Sequence, residues 1–393
     1  MTTNCPSCGS RSCKVFYESR RVPTNNHALA SSRAEAIAVR RGDVALTFCG
    51  FCGFVFNSAF DPSIGAPVSG GEDNGDHASA FDAFQERLAN RLIERHVLHG
   101  SNDIPQISCK GEAILTFVCE LSDHHEIDDR YVPADPFASL PDGRATTGAR
   151  SLSEAVVADP ADPTCSMMAL MLVPDPARFL ALLRRGLAGR REMRLFLQVS
   201  NFARTLKHIA FWDIQYRYCS YFSPGTLHRL LCARGFTVSD LFTDFDGEHL
   251  MADSRAAGRG ATGSLPRQNV ETIAELARLV ARFAHECREK QALWSNILRR
   301  VAGAGNRIAI WGAGSSAASF LTTLAVGDEV SYVVDVSPFR QGKYMPGTGH
   351  RIVAPDVMLT TRPDVVIVTN SVVAFEIHEL LANADCAPTL LIA

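Results

Sequence analysis

RIAIWGAGSS, residues 307–316, is an apolar strand that runs into a glycine turn and then into a helix. A second apolar stretch over 330–335 and a third over 364–370 read as further strands. Strand, helix and strand in alternation indicate an α/β unit with a small parallel sheet. The turn keeps two glycines of a GxGxxG pattern, Gly312 and Gly314. Asp335 follows about twenty residues later, the spacing of an acidic residue that ends the second strand of a nucleotide-binding unit. The backbone N–H groups from Gly312 to Ser316, at a helix start, suit an anion such as a diphosphate. Lys343 and the Gly-Thr-Gly turn at 347–349 can assist.

Upstream, Ile273, Leu276, Val280, Phe283, Cys287, Trp294 and Ile297 form an apolar stripe at steps of about three and four, which predicts a long helix and an interdomain seam. The Gly-, Ala-, Ser- and Arg-rich stretch 254–266 reads as the linker before it, and 69–76 as another. Phe81, Phe84, Leu88 and Leu92 predict an amphipathic helix whose other face carries Gln85, Glu86, Arg87 and Arg91.

Between these linkers lies FWDIQYRYCSYFSPG, residues 211–225, dense in groups that carry chemistry. Arg217 keeps its charge at physiological pH and cannot accept a proton. Tyr218, with an unperturbed pKa of about 10, is a poor base near neutrality unless positive charge lies close. Arg217 and Lys207 are candidates for that charge. If 216–221 is extended, Tyr216, Tyr218 and Ser220 share one face and Arg217 takes the other; a local turn would change this. His249, beyond the next strand, is a further acid or base candidate, although a lone histidine near a strand is more often structural.

At the other end of the chain, Cys5 and Cys8 form one CxxC pair and Cys49 and Cys52 a second. Two such turns complete a tetrahedral four-sulfur zinc site, which has no open position and is therefore structural. Cys13 falls outside the paired spacing. A redox role for one CxxC is the alternative, disfavoured by two pairs and no surrounding βαβ pattern. With 393 residues, 46% of them hydrophobic and 21% charged, the chain is long enough for two or three cored domains. A net charge of -3 argues against a nucleic-acid binder. No apolar run reaches the roughly 20 residues of a membrane helix, and MTTNCPSC is not a signal peptide, so a cytoplasmic protein without membrane contact is expected.

These stretches together resemble the zinc-binding, S-adenosylmethionine (SAM)-dependent sugar C-methyltransferases. Trp-Gly-Ala-Gly-Ser at 311–315, Val-Val-Asp at 333–335 and QGKYMPGTG at 341–349 are similar to that family's C-terminal domain. The segment 216–222, YRYCSYF, is similar to its catalytic Tyr-Glu-His-x-Ser-Tyr-Phe, with Arg217-Tyr218 in place of Glu-His. QISCKGEAIL at 106–115 stands where the family has Glu-Ile-Gly-Cys-Gly-x-Gly-Asp-Phe-Leu, with Ser108 for a glycine and a shortened loop before Gly111. Asp128 matches the acidic residue that accepts ribose hydroxyls. MLVPDP at 171–176 matches Glu-His-Ile-Pro-Asp-Pro, with Met171 and Leu172 for the polar pair, and Gln198 replaces a Glu.

The resemblance implies three units: a zinc-knuckle lobe over 1–68, a Rossmann-like class I methyltransferase core over 77–252, and, over 267–393, the linking helix with a small Rossmann-like substrate-binding domain. It implies structural zinc on Cys5, Cys8, Cys49 and Cys52, SAM facing Ser108, Gly111 and Asp128, and substrate oriented by Tyr216, Tyr218 and Tyr221. A nucleotide-linked sugar or similar small carbonyl compound is then held by Gly312, Gly314, Ser315, Asp335 and Lys343, with His27 in a Val-Pro loop reaching towards it. Three sites have lost polar groups while the apolar skeleton between them persists. The expected function is therefore a family member whose methyl-transfer centre is degenerate, with Tyr218 or His249 standing in for the base if it is active. The rivals are a SAM-independent enzyme acting on a keto substrate and a non-catalytic partner of an active homologue.

Overall fold

The computed structural model describes residues 4–64, 81, 83–84, 86–88, 90–91, 164–167, 169–186, 194–256, 270–383 and 387–393. The stretch 307–316 supplies the central strand of a five-stranded sheet, and strands are numbered along the chain. The first lobe has β1 (Cys13–Pro23), α1 (Arg33–Ile37), β2 (Arg41–Cys49) and β3 (Val55–Asn57). Next come β4 (Thr164–Met167), α2 (Pro176–Gly186), β5 (Arg194–Ser200), α3 (Phe202–His208), β6 (Ser220–Tyr221), α4 (Pro224–Ala233), β7 (Phe236–Asp244) and β8 (His249–Ala256). The long helix α5 (Ile273–Gly303) leads to β9 (Ile308–Trp311), α6 (Ser315–Thr323), β10 (Tyr332–Val334), β11 (Ile352–Val353), α7 (Pro355–Thr361), β12 (Val365–Val368), α8 (Ala374–Asn383) and β13 (Thr389–Ile392).

The C-terminal sheet runs β11-β10-β9-β12-β13, and every neighbouring pair is parallel. Its three inner strands, β10, β9 and β12, are buried on both faces, as a parallel sheet covered by helices requires. The order reverses between β9 and β12, and open α/β sheets bind ligands at the carboxyl ends of strands flanking such a reversal. The strands over 307–316, 330–335 and 364–370 thus become β9, β10 and β12. The two outer strands were not foreseen: β11 is only two residues long, and β13 keeps its residues partly exposed.

Helix α5 starts in a capping box, with Thr272 accepting from Glu275 N at 3.2 Å and Glu275 accepting from Thr272 N at 2.8 Å. Its buried stripe is Leu276, Val280, Phe283, Cys287, Trp294 and Leu298. Phe283 packs edge-on against Tyr17 of β1 at 5.7 Å, and Trp294 against Phe320 of α6 at 5.3 Å. The helix is therefore a seam between the first lobe and the last. The linker reading of 254–266 needs correction at its start: β8 continues to Ala256, because Ser254 is fully buried and its hydroxyl donates to Leu195 O at 3.0 Å. The rest of that stretch, and 69–76, lie outside the described residues.

The middle sheet runs β4-β5-β8-β7, with β4 parallel to β5 and the β7–β8 hairpin antiparallel. Helical residues between 81 and 91 cover it. Phe84 and Leu88 are buried, while Arg87 and Arg91 reach Asp244 and Asp240 at 3.3 and 2.8 Å. The first lobe is an antiparallel sheet, β1-β2-β3-β6, whose last strand comes from the segment 211–225. Among the described residues no helix is long and apolar enough to cross a membrane.

Candidate active site

The segment 211–225 is held from two sides. β6 pairs with β3, Val55 opposite Tyr221 and Phe56 opposite Ser220, which fastens it to the first lobe. On the other side Cys219 N donates to Met171 O at 2.8 Å and the Ser220 hydroxyl to Val173 O at 2.9 Å. Met171 and Leu172, apolar where the resembled family is polar, are buried behind it.

The segment is not extended throughout. Tyr218 N donates to Gln215 O at 3.3 Å, closing a turn, so the alternation of faces expected for 216–221 does not hold. Tyr216 turns into the first lobe, where its hydroxyl lies 3.0 Å from both the N and the O of Asp61 and its ring packs on Phe60. The Tyr221 hydroxyl donates to Gln215 O at 2.9 Å. Both phenols are thus engaged by backbone. Tyr218 remains, half-buried beside Ser200 at the carboxyl end of β5. Burial holds its phenol above the ordinary range, Asp213 and Glu248 push it further, and Arg217 pulls it part of the way back.

Asp213, which the sequence reading passed over, lies close enough to Tyr218 for its charge to act on the phenol. Thr205 Oγ1 and Ser316 Oγ approach its carboxylate at 3.4 and 3.2 Å, and burial raises its pKa to about 6. The sequence signal was there: one acid in the apolar run FWDI. Gln215 and Asn26 were also missed as site residues; they donate to Ser315 Oγ and Ser319 Oγ, each at 2.7 Å. His27 lies near Arg217 and Arg340, and burial followed by those two charges lowers its pKa to about 4. His249 stands opposite Ser200 in the β5–β8 ladder; its ring stacks on Phe84, centroids 5.1 Å apart and 8° from parallel, and burial lowers its pKa to about 4. Its Nδ1 is 3.4 Å from Gln198 Nε2. Lys207 sits in the last turn of α3.

On the C-terminal sheet, the turn after β9 faces this segment. Gly312 has φ +93°, and a Cβ added at Gly312 or Gly314 would meet nothing within 4 Å, so the turn opens onto free space. Asp335, just past β10 and buried, accepts from Ala313 N at 2.6 Å, from Ser337 N at 2.8 Å and from Arg340 at 3.2 Å. Its carboxylate braces the turn rather than standing free for a ribose. Lys343 is half-buried in the loop between β10 and β11. Asn370 donates to Glu248 at 3.4 Å, and Ser371 donates to Asp246, which also pairs with Arg204 at 3.2 Å. The end of β5 therefore lies beside Tyr218 and the helix after β9 beside Asp213, while the end of β12 reaches Glu248 and Asp246. Ser108, Gly111 and Asp128 lie outside the described residues.

At the far end of the first lobe, the four thiols of Cys5, Cys8, Cys49 and Cys52 lie within 4.8 Å of one another, with Cys5–Cys52 and Cys8–Cys49 sulfurs 3.7 Å apart. A tetrahedron with zinc–sulfur bonds of about 2.3 Å has sulfur–sulfur edges of about 3.8 Å. The donor set fits zinc. Cys13 is not one of the four clustered thiols, and its own lies 3.4 Å from Ser10 O.

Residues 265–386 match the model of the C-methyltransferase C-terminal domain. C-methyltransferase NovU of Streptomyces niveus is 27% identical over 176 residues, a match that spans 43% of this chain and 42% of that relative. Among solved structures, the mitomycin 7-O-methyltransferase MmcR superposes with a TM-score of 0.28 at 13% identity, covering 45% of this chain and 57% of its own. The magnesium protoporphyrin IX methyltransferase ChlM of Synechocystis superposes at 0.26 and 10% identity, covering 45% and 84%. The domain match over the last part of the chain and the NovU likeness support a C-methyltransferase-family protein.

Proposed function

We propose that this chain binds a nucleotide-linked sugar, or a similar small carbonyl compound, between the segment 211–223 and the Gly312–Ser315 turn, and that its methyl-transfer centre is degenerate. The reading is carried by the chemistry at Arg217 and Tyr218. A guanidinium cannot take a proton, and a buried phenol held above its ordinary range is a donor rather than a base. The hydroxyls of Tyr216 and Tyr221 are already bound to backbone. Gly314 and Ser315 offer a diphosphate their backbone N–H groups, those of Gly312 and Ala313 being taken by Val334 O and Asp335, and Lys343 is proposed to assist. SAM, when bound, supplies an electrophilic methyl group; Met171 and Leu172, buried where the resembled family carries a Glu-His pair, offer no donor or acceptor side chain of ordinary strength. Calorimetry with SAM is expected to show a Kd weaker than about 1 mM, and incubation with labelled SAM to leave sugar nucleotides unlabelled. Micromolar SAM binding together with labelled sugar would sink the proposal.

A second reading, a SAM-independent enzyme acting on a keto substrate, draws support from Asp213. A carboxyl titrating at about 6 has the pKa of a base poised for work near neutrality. In deuterated water, the protein is expected to exchange the protons next to the ketone of a nucleotide-linked 4-keto sugar. Because the carboxylate must be ionised to accept a proton, the rate climbs as pH rises through about 6 and then levels. Asp213→Asn is expected to lower it by about 100-fold. An unchanged rate in that variant removes the second reading, and binding without exchange or transfer leaves the non-catalytic partner.

A further inference from the structure

The loop 22–27 docks against α6 and the segment 214–217, and the polar groups brought together there are mismatched in a way that describes a ligand. Arg217 is half-buried, and among the described residues its only polar partner is Asn25 Oδ1 at 3.5 Å; no carboxylate lies within ion-pair distance of it. A half-buried guanidinium without a counter-charge carries a desolvation cost that an anion would offset. The neighbouring cation, Arg340, has Asp335. His27, close to both arginines, is held neutral by burial and by their charge, so it contributes no negative group.

Two buried acceptors border the same place. Asn26 is 3% exposed and Gln215 4%, and among the described residues Asn26 Oδ1 and Gln215 Oε1 have no hydrogen-bond partner. For Asn26 the orientation is fixed by its neighbour: the Ser319 hydroxyl gives its one proton to Ile214 O at 3.2 Å, so it accepts from Asn26 Nδ2 and leaves Oδ1 unpaired. Buried acceptors without donors are costly, and a ligand hydroxyl is the group that satisfies them.

We propose that Arg217 is the counter-ion of a carboxylate on the substrate, with Asn26 and Gln215 accepting from hydroxyls beside it. The substrate class is then a carboxylated, hydroxylated carbonyl compound of the uronic-acid kind rather than a neutral sugar. This rests on the carbonyl-substrate reading given above. It also accounts for the sign at position 217: the Glu of the resembled segment would repel such a group, and Arg attracts it as a planar fork.

The test compares UDP-glucuronate with UDP-glucose, and UDP alone, by calorimetry on the full chain. The glucuronate is expected to bind at least about tenfold more tightly than the glucose. Arg217→Gln should bring the two within about twofold while leaving UDP binding and Tm unchanged; Arg217→Lys, which keeps the charge and loses the fork, should retain part of the preference. Binding of UDP with no preference for the carboxylated sugar, or a preference that survives in Arg217→Gln, overturns the inference and leaves the nucleotide-sugar reading standing. If no UDP compound binds, that reading fails, and ligand-observed NMR with free glucuronate against glucose decides this one. Selectivity for glucuronate that depends on Arg217 upholds it, and equal weak binding overturns it.

Discussion

Acid digestion of the purified protein is expected to release about one zinc ion per chain, and Cys49→Ser to release none. The sulfurs of Cys5, Cys8, Cys49 and Cys52 already stand at the spacing of a tetrahedral site, and two of them, Cys5 and Cys49, are buried. Structural zinc contributes on the order of 10 kcal/mol in small zinc-dependent folds. Here the knuckle sets the start of β1 and the β2–β3 turn, where Gly53 takes φ +79° and Cys13 pairs with Cys49. β3 in turn pairs with β6, so the loss should travel to Tyr218's segment. Removing zinc is expected to cost about 5 kcal/mol or more, comparable to a whole domain's stability, with Tm falling and the first lobe becoming open to proteolysis. Cys13→Ser serves as the control and should keep its zinc, since that thiol points to Ser10 O. Full zinc content in Cys49→Ser, or zinc removal that leaves Tm unchanged, defeats the assignment.

That site was legible because its information is local: residue type and spacing over a few positions fix where the sulfurs can go. The same holds for the glycine turn at 312–314 and the stripe of α5, whose periodicities need only a short window of sequence. What could not be read is set by partners far along the chain. The turn at Gln215–Tyr218 replaces an extended run because Ser220 and Cys219 are drawn onto Val173 and Met171, and Tyr216 onto Asp61. His249 looks like an acid or base in isolation; the aromatic plane that stacks on it comes from Phe84. Asp213 shows the reverse case. A single acid in the apolar run FWDI hints at burial, but the groups that enclose it, Thr205 on α3 and Ser316 on α6, cannot be read from that run. Asp335 was read correctly as a strand-end acid, yet its spacing gives no hint that the carboxylate is taken up by the turn it follows.

Replacing that carboxylate is expected to have the largest effect of any single change in the C-terminal sheet. Asp335→Ala removes acceptors from two backbone N–H groups, Ala313 and Ser337, and takes away a counter-charge of Arg340 whose side chain is only 14% exposed. Removing one partner of a buried pair leaves the other charge uncompensated, which typically costs about 3–5 kcal/mol. Urea denaturation should show a loss of that size in Asp335→Ala and one nearly as large in Asp335→Asn, because Ala313 N and Ser337 N donate to different oxygens of the carboxylate and the single amide oxygen can accept from only one of them. If the charge on Arg340 is the main term, Arg340→Met should lessen the cost of Asp335→Ala by more than about 1 kcal/mol in a double-mutant cycle. The Gly312–Ser315 turn loses its brace in the same variant, so affinity for UDP should fall at least about tenfold even where the fold survives. A variant within about 1 kcal/mol of the parent would mean that the turn is held by its own backbone, through Gly312 N to Val334 O at 2.7 Å, and that Asp335 is free for a ligand after all.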